Sequence, residues 1–267
     1  MPFLTHNKQP RIHYDIIDGD PAKPWLVFLH EGLGCTAMWK DFPQRLCAAT
    51  GCRGLLYDRL GYGLSDALQQ TRAPDYLHRY ALDELPSILV ALLPQQAYIL
   101  IGHSDGGSIA LLHAAQRAPL LRAIVTEAAH VFVEPVTLDG IRAADRAYAD
   151  GKLKGLQKYH GDKTGQIFKA WSETWLAPAF ADWNIEADLP RIACPALVMQ
   201  GVDDQYGTPA QVDAIVAGIA GSAGGHLGTA RPAMLAGCGH SPHQEQPQAV
   251  LELMRDFVLE QVAATAA

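Results

Sequence analysis

The feature that most constrains the fold of this chain is a Gly-rich segment between an apolar stretch and a helix-forming one. Residues 97–101 are apolar and β-branched, which is typical of a buried parallel strand, and residues 109–115 are mostly helix formers. Between them lies Gly102-His103-Ser104-Asp105-Gly106, a G-x-S-x-G pattern. This arrangement predicts that Ser104 lies on a sharp strand-to-helix turn, with its hydroxyl at the start of the helix.

Such a turn brings backbone segments close together, so glycines are expected at 102 and 106, where a Cβ would clash. The free N–H groups and the positive dipole of the helix start would then face any negative charge that forms beside Ser104. Taken alone, the pentapeptide fits either a catalytic nucleophile or a simple packing turn. The order of polar motifs elsewhere in the chain favours the nucleophile.

Ahead of Ser104, the apolar strand 25–29 runs into a His-Glu-Gly-Leu-Gly loop at 30–34, whose backbone can donate an N–H to an oxyanion. After Ser104, the apolar strand 196–200 is followed by two candidate acids, Asp203 and Asp204. His240 comes later, in a glycine-flanked loop directly before the C-terminal helix. The sequence therefore offers a serine, a carboxylate and a histidine in that order.

Five segments, in this order, resemble the motifs of the α/β-hydrolase fold family over nearly the whole chain. They are His30-Glu31-Gly32-Leu33-Gly34, Tyr57-Asp58-Arg59-Leu60-Gly61-Tyr62-Gly63-Leu64-Ser65, Gly102-His103-Ser104-Asp105-Gly106-Gly107, Gln200-Gly201-Val202-Asp203-Asp204 and Gly237-Cys238-Gly239-His240-Ser241-Pro242. The resemblance implies an α/β fold, with a mostly parallel sheet flanked by helices and a helical cap inserted into it.

The resemblance also implies roles for individual residues. Ser104, Asp204 and His240 would form the catalytic triad, since the family's acid lies three residues after the Gly at 201 and Asp203 would be solvated. The backbone N–H groups of Gly32 and Asp105 would form the oxyanion hole. His240 would take the proton of the Ser104 hydroxyl, which is a weak nucleophile until a base removes it.

One position departs from the family pattern. The residue after the first histidine of the oxyanion loop is usually Gly, and here it is Glu31. If this carboxylate faces the pocket, it should disfavour anionic substrates. The alternative is that Glu31 turns outward to a basic neighbour or to solvent and only fixes the loop.

The alternation of apolar and helix-forming segments predicts strands near 11–17, 25–29, 53–57, 97–101, 121–126, 195–200 and 231–235. Helices are expected near 39–49, 77–92, 105–117, 209–219 and 247–262. The Gly/Ala-rich stretch from 217 to 230 is predicted to be a surface loop. Residues 131–190 interrupt the alternation, so we expect a core domain of residues 1–130 and 191–267 and a helical cap of residues 131–190.

Several other side chains are candidates for the substrate pocket. Glu127 and His130 follow a predicted strand and either line the pocket or form a hydrogen-bonded structural pair. Trp171 and Trp175 of the cap either contact substrate or pack between cap and core. We expect Asp58 and Arg59 to organise their loop through charge-assisted hydrogen bonds, and Tyr159 and His160 to lie on a solvated helix face. The spacing of His240, His243 and Glu245 fits no metal-binding motif, and no cofactor is expected.

Composition agrees with a small-molecule enzyme. A chain of 267 residues with 49% apolar residues can bury one large core. The net charge of −7 offers no basic patch for nucleic acid or an anionic membrane. The chain has no signal-peptide pattern and no apolar run of about 18 residues, so we expect a cytoplasmic protein outside the membrane. Five cysteines without C-x-x-C spacing are expected to be free thiols.

Three functions remain open at this point. The first is hydrolysis of small carboxylic esters through an acyl-enzyme. The second is carbon–carbon bond hydrolysis or a lyase step, but related carbon–carbon hydrolases tend to carry Trp after the catalytic histidine, where this chain has Ser241. The third is a non-catalytic ligand receptor on the same fold, since fold alone does not define function.

Overall fold

A single eight-stranded sheet forms the centre of the molecule. The computed structural model describes residues 2–5, 10–221 and 228–266. The strands are β1 (Phe3–Leu4), β2 (Ile12–Ile17), β3 (Trp25–Leu29), β4 (Gly54–Tyr57), β5 (Tyr98–His103), β6 (Leu121–Glu127), β7 (Ala196–Gly201) and β8 (Ala230–Leu235). Their order across the sheet is β1-β2-β4-β3-β5-β6-β7-β8. β2 is antiparallel to both of its neighbours, and β4, β3, β5, β6, β7 and β8 are mutually parallel.

The predicted mostly parallel sheet is confirmed, and each of the seven predicted strands is present. Every residue of β3, β4, β5 and β7 is buried, which explains why these strands are continuous apolar runs. The additional strand, β1, has two residues and pairs only with β2 at the sheet edge. Two residues are too few to show a period, so the sequence did not predict it.

Helices and shorter helical turns connect the strands. The α-helices are α1 (Phe42–Thr50), α2 (Tyr76–Arg79), α3 (Leu85–Leu92), α4 (Asp105–Ala114), α5 (Pro135–Ala149), α6 (Gln157–His160), α7 (Thr164–Leu176), α8 (Ala210–Ala220), α9 (Pro242–Glu245) and α10 (Pro247–Ala266). The 3₁₀-helices are Thr36–Trp39, Lys154–Leu156, Gly161–Lys163, Pro178–Phe180 and Glu186–Arg191. One π-helical turn, Tyr80–Glu84, lies between α2 and α3.

Three predicted helices differ from the structure in their details. The helix predicted over 39–49 begins only at Phe42, after a separate 3₁₀ turn. The helix predicted over 77–92 contains the π-helical turn. The helix predicted over 105–117 ends at Ala114, and Arg117 beyond it has φ 55°, a left-handed conformation that an α-helix does not contain.

Two apolar clusters cover opposite faces of the sheet. Successive residues of β3 point to opposite faces and belong to different clusters: Val27 lies in one and Phe28 in the other. The cluster of Phe28 includes residues of α1 and α10. The cluster of Val27 includes α4 and the apolar side chains that α5 and α7 contribute. The helical segments between β6 and β7 therefore pack on the same face as the helix that follows Ser104.

Residues 131–190 contain helices joined by turns, and the isolated bridge between Phe132 and Asn184 is the sole strand-like pairing in this segment, which the structure describes throughout. Their separation from the core as a cap stays a prediction. Residues 222–227 of the predicted Gly/Ala-rich loop lie outside the described residues. All five cysteines are free, as expected. No helix among the described residues combines the length and the apolar character needed to cross a membrane.

Candidate active site

The turn at the end of β5 places Ser104 in a strained conformation. Ser104 has φ 52° and ψ −118°, in the region that residues with a Cβ avoid. The predicted need for both flanking glycines is confirmed. A Cβ on Gly102 would lie 2.2 Å from the main-chain oxygen of Gly106, and one on Gly106 would lie 2.0 Å from that of Leu29. The backbone packs this closely only because neither residue has a side chain.

The structure brings Ser104, His240 and Asp204 together from three separate loops. His240 Nε2 lies 3.0 Å from Ser104 Oγ. On the other side of the ring, His240 Nδ1 lies 2.9 Å from Asp204 Oδ1 and 3.0 Å from Oδ2. These distances are within hydrogen-bonding range, so the three side chains form one connected line.

The two adjacent aspartates after β7 have different environments. The side chain of Asp204 is 1% exposed, whereas Asp203 lies on the surface. Burial acts to raise the pKa of Asp204, but the hydrogen bond and charge of His240, with the Tyr206 N–H, outweigh burial and lower it. Asp204 is therefore ionised at neutral pH and can stabilise a proton on His240.

Two backbone N–H groups lie beside Ser104. Gly32 and Asp105 both line the pocket that contains Ser104 and His240. Neither N–H donates a hydrogen bond to any group in the part of the chain that the structure describes. Asp105 is also the first residue of α4, where backbone N–H groups have no partner within the helix. Both N–H groups are therefore without an acceptor in the described part of the chain, and their role as an oxyanion hole stays a prediction.

The loop that carries Gly32 is held from two sides. Arg59 holds this loop, and not the loop after its own strand as we expected, since its guanidinium donates to the main-chain oxygens of His30 and Glu31. From the other side, His160 Nε2 donates to the Leu33 oxygen at 2.9 Å, while Nδ1 accepts from the Gly63 N–H at 3.0 Å. His160 is 3% exposed, so the expectation that it lies on a solvated helix face was wrong. Its two backbone contacts explain the burial. Asp58 does organise its own loop, because its Oδ2 accepts from the Leu64 N–H at 2.8 Å.

Glu31 faces the pocket, as one of the two sequence alternatives held, and its basic neighbour is buried and not on the surface. It lines the pocket, and its Oε2 lies 3.4 Å from Nδ1 of the buried His103. Burial alone would lower the pKa of His103, but the contact with Glu31 and its charge, together with that of Glu127, raise it to about 9. The carboxylate of Glu31 therefore faces a cationic partner and does not act as an isolated negative charge.

The pocket above Ser104 is small and largely apolar. Its volume is about 110 Å³. The lining residues are Glu31, Gly32, Leu33, Ser104, Asp105, His130, Thr137, Ile141, Trp171, Trp175, Tyr206 and His240. The candidates His130, Trp171 and Trp175 are thus at the pocket wall. His130 Nε2 donates to the main-chain oxygen of Tyr206 at 2.9 Å, so its ring is fixed.

The carboxylate of Asp105 is buried next to the pocket. Asp105 is 2% exposed, and its Oδ2 accepts a hydrogen bond of 2.8 Å from the Tyr76 hydroxyl. Tyr76 in turn accepts one of 2.8 Å from Trp175 Nε1. This line of hydrogen bonds fixes Trp175 against the turn that carries Ser104.

Glu127 does not line the pocket, which corrects the expectation for this residue. It is fully buried, and its Oε2 accepts hydrogen bonds of 3.0 Å from both the N–H and the Nδ1 of His243. Its main-chain oxygen accepts from the Ser104 N–H at 2.8 Å. Glu127 therefore forms a structural pair, as one sequence alternative held, but with His243 and not with His130.

Sequence reasoning missed Ile141, Thr137, Tyr206 and Tyr76. Tyr206 lies two residues after Asp204, and that proximity was a usable signal. The other three come from helices distant in sequence, and nothing local marks them.

Glu245, the remaining residue of the rejected metal pattern, accepts from the backbone N–H groups of Gly239 and Ser241.

Comparisons with known proteins identify the family of this chain. The model of a family described as the alpha/beta hydrolase family matches residues 26–253. A 2-succinyl-6-hydroxy-2,4-cyclohexadiene-1-carboxylate synthase of Salmonella paratyphi C (strain RKS4594) is 27% identical over 170 residues, which cover 64% of this chain and 60% of that protein. The sn-1-specific diacylglycerol lipase ABHD11 of Mus musculus is 30% identical over 116 residues, or 43% of this chain and 35% of that protein.

Among solved structures, the enol-lactonase from Burkholderia xenovorans LB400 has a TM-score of 0.70 and 24% identity, covering 96% of this chain and 99% of that one. At this identity the likeness shows the fold alone. The matched region spans about 60% of the length of the synthase and 35% of the length of the lipase.

Proposed function

The chain belongs to the alpha/beta hydrolase family, and we propose that it hydrolyses small carboxylic esters through an acyl-enzyme on Ser104. The observation that carries the proposal is the connected line from Ser104 Oγ through His240 to the buried Asp204, with 3.0 Å between Oγ and Nε2. A serine becomes nucleophilic when an adjacent base takes its proton, and this geometry supplies that base.

In the proposed reaction, Ser104 Oγ attacks the ester carbonyl carbon while its proton passes to His240 Nε2. The carbonyl oxygen becomes an oxyanion, which accepts hydrogen bonds from the N–H groups of Gly32 and Asp105. The C–O bond then breaks, and the leaving alcohol takes the proton from His240. Water repeats the sequence on the acyl-enzyme and releases the carboxylic acid and free Ser104.

Asp204 has a positioning and electrostatic role in this scheme. Its carboxylate accepts from His240 Nδ1, so the lone pair of Nε2 faces Ser104. The lowered pKa of Asp204 keeps it ionised, which stabilises the imidazolium that forms during each half-reaction.

A second candidate is a lyase or carbon–carbon bond-cleaving reaction, because the matched synthase is named for a cyclohexadiene carboxylate. The pocket favours the ester reaction over that alternative. Its lining includes Glu31 and Asp105 but no Lys or Arg among the described residues, so it offers no guanidinium or ammonium to a substrate carboxylate. A receptor function would leave the strained turn at Ser104 without a purpose.

A panel of neutral short-chain aryl esters and ring-fission diketones, assayed with wild type and Ser104→Ala, tests the proposal. We expect ester turnover in wild type and its loss in Ser104→Ala, with little change in the folding midpoint. Diketone cleavage without ester turnover would favour the second candidate. Ester turnover within tenfold of wild type in Ser104→Ala would exclude the serine mechanism.

A further inference from the structure

The indole N–H of Trp171 lies against the glycine that supplies one of the proposed oxyanion donors. A Cβ added to Gly32 would lie 2.5 Å from Trp171 Nε1 and 2.7 Å from its Cδ1. Only a glycine at 32 leaves room for the indole in this position. Trp171 therefore closes the side of the pocket next to the oxygen that the ester carbonyl would place there.

This N–H differs from that of the other tryptophan in the pocket. Trp175 Nε1 donates to the Tyr76 hydroxyl at 2.8 Å. No group among the described residues accepts a hydrogen bond from Trp171 Nε1. The N–H of a buried tryptophan usually donates a hydrogen bond to some acceptor. Because Trp171 is 9% exposed and lines the pocket, a bound molecule can supply that partner.

The volume of the pocket limits the part of that molecule that can lie inside it. A cavity of about 150 Å³ accommodates benzene, with its six carbon atoms. The 110 Å³ beside Ser104 therefore holds roughly four or five non-hydrogen atoms by proportion. Ile141, Trp171 and Trp175 supply apolar walls, so the enclosed group is short and mostly hydrocarbon.

We propose, on the basis of the proposed ester hydrolysis, that the site selects short esters with an oxygen acceptor near the ester group, and that Trp171 Nε1–H donates to this oxygen. Ethers, ketones and alcohols all present such an acceptor. Trp171 is then a specificity-determining residue: its ring limits the length of the enclosed group, and its N–H distinguishes an oxygen from a methylene at the same place.

The test uses pairs of esters that differ by one CH₂ replaced by oxygen. On the acyl side these are 4-nitrophenyl butanoate and 4-nitrophenyl methoxyacetate, and on the alcohol side butyl acetate and 2-methoxyethyl acetate. The ratio of kcat/KM within each pair is compared between wild type and Trp171→Phe, which keeps an aromatic ring and removes the N–H. Intrinsic reactivity cancels in this comparison.

In Trp171→Phe we expect the preference for the ether ester to fall about three- to tenfold in one of the two pairs. This fold-change corresponds to the loss of one neutral hydrogen bond. Trp183→Phe is the matched control, because Trp183 also has an N–H without a partner among the described residues but does not line the pocket. It should leave both ratios unchanged.

Three results would overturn the proposal. Ratios and kcat/KM values that both stay unchanged in Trp171→Phe would show that the N–H contacts no part of the substrate. An equal fall in kcat/KM for both members of each pair would show that the N–H donates to the oxyanion instead. A loss of preference in Tyr206→Phe and not in Trp171→Phe would assign the contact to the tyrosine hydroxyl.

Failure of the ester reaction itself is recognised separately, as absence of turnover with every ester. In that case binding of the neutral amides methoxyacetamide and butanamide to Ser104→Ala and to Ser104→Ala/Trp171→Phe is measured by ligand-detected NMR. Tighter binding of methoxyacetamide that disappears with the indole N–H supports the proposal, and equal binding of the two amides, or binding of neither, contradicts it.

Discussion

Glu31 Oε2 lies 3.4 Å from His103 Nδ1, and the same imidazole donates through Nε2 to the main-chain oxygen of His240 at 2.7 Å. A carbonyl oxygen only accepts, so Nε2 carries a proton. The raised pKa of His103 favours a second proton on Nδ1, the nitrogen on the side of the carboxylate. The pair therefore joins the loop of Gly32, the end of β5 and the loop of His240. Neutralising either partner leaves the other buried without its counter-charge.

The first prediction is that this pair makes stability depend on pH. The pKa of His103 is raised from an ordinary value of about 6.5 to about 9. Its stabilising contribution is thus complete below about pH 6.5 and is lost as the pH rises toward 9. The pKa of Glu31 is lowered, so its contribution is lost as the pH falls below its ordinary value.

Urea unfolding of wild type and Glu31→Gln at pH 6 and pH 9 measures this dependence. We expect the difference in unfolding free energy between the two proteins to be larger at pH 6. Glu173→Gln, a change at an exposed carboxylate on α7, should behave as wild type at both values. A difference between wild type and Glu31→Gln that stays constant with pH would contradict the ion pair.

The second prediction separates the two aspartates after β7. Asp204→Asn should lower kcat on the order of 10⁴-fold, because an amide in place of the carboxylate favours the wrong tautomer of the histidine. Asp203→Asn is the matched change on the exposed neighbour and should have little effect. Steady-state kinetics of both variants with one aryl ester identify the acid of the triad. A larger loss of kcat in Asp203→Asn than in Asp204→Asn would assign that role to Asp203.

The third prediction concerns the close backbone approach at Gly106. A Cβ there would lie 2.0 Å from the Leu29 oxygen, and neither backbone segment can move without disturbing the sheet. Gly106→Ala should lower the free energy of unfolding by about 3 kcal/mol, the upper part of the usual range for overpacking. Gly155→Ala, where nothing lies within 4 Å of the added Cβ, is the control. Equal effects of the two changes in urea unfolding would contradict the steric account.

Local patterns predicted the sheet and the position of Ser104, because a buried parallel strand and the turn after it are encoded by neighbouring residues. His240 was selected by its order and its glycine-flanked loop, whereas the choice of Asp204 over Asp203 came from the resemblance to the family's pattern. The partner of Glu31 was not predictable in this way. Its contact with His103 depends on how the loop after β3 lies beside the end of β5, and no sequence period reports that distance.

Glu127 shows the limit of arguments from position along a strand. Its place at the carboxyl end of β6 fitted a pocket residue and a structural pair equally, and its side chain turns to His243, which follows the last strand. Ile141 illustrates the opposite case, because a pocket residue on a distant helix has no local signature. Such a side chain reaches the site only because of how its helix packs, and that packing depends on contacts between residues that are distant in sequence.

The central claim is that Ser104 is an activated nucleophile, and covalent labelling tests it most directly. Wild type is incubated with a fluorophosphonate, and the labelled residue is identified by peptide mass spectrometry. We expect one adduct, on Ser104, formed with loss of fluoride, and a much slower reaction in His240→Gln because the base is missing. Absence of an adduct on Ser104, or labelling at the same rate in His240→Gln, would contradict the account.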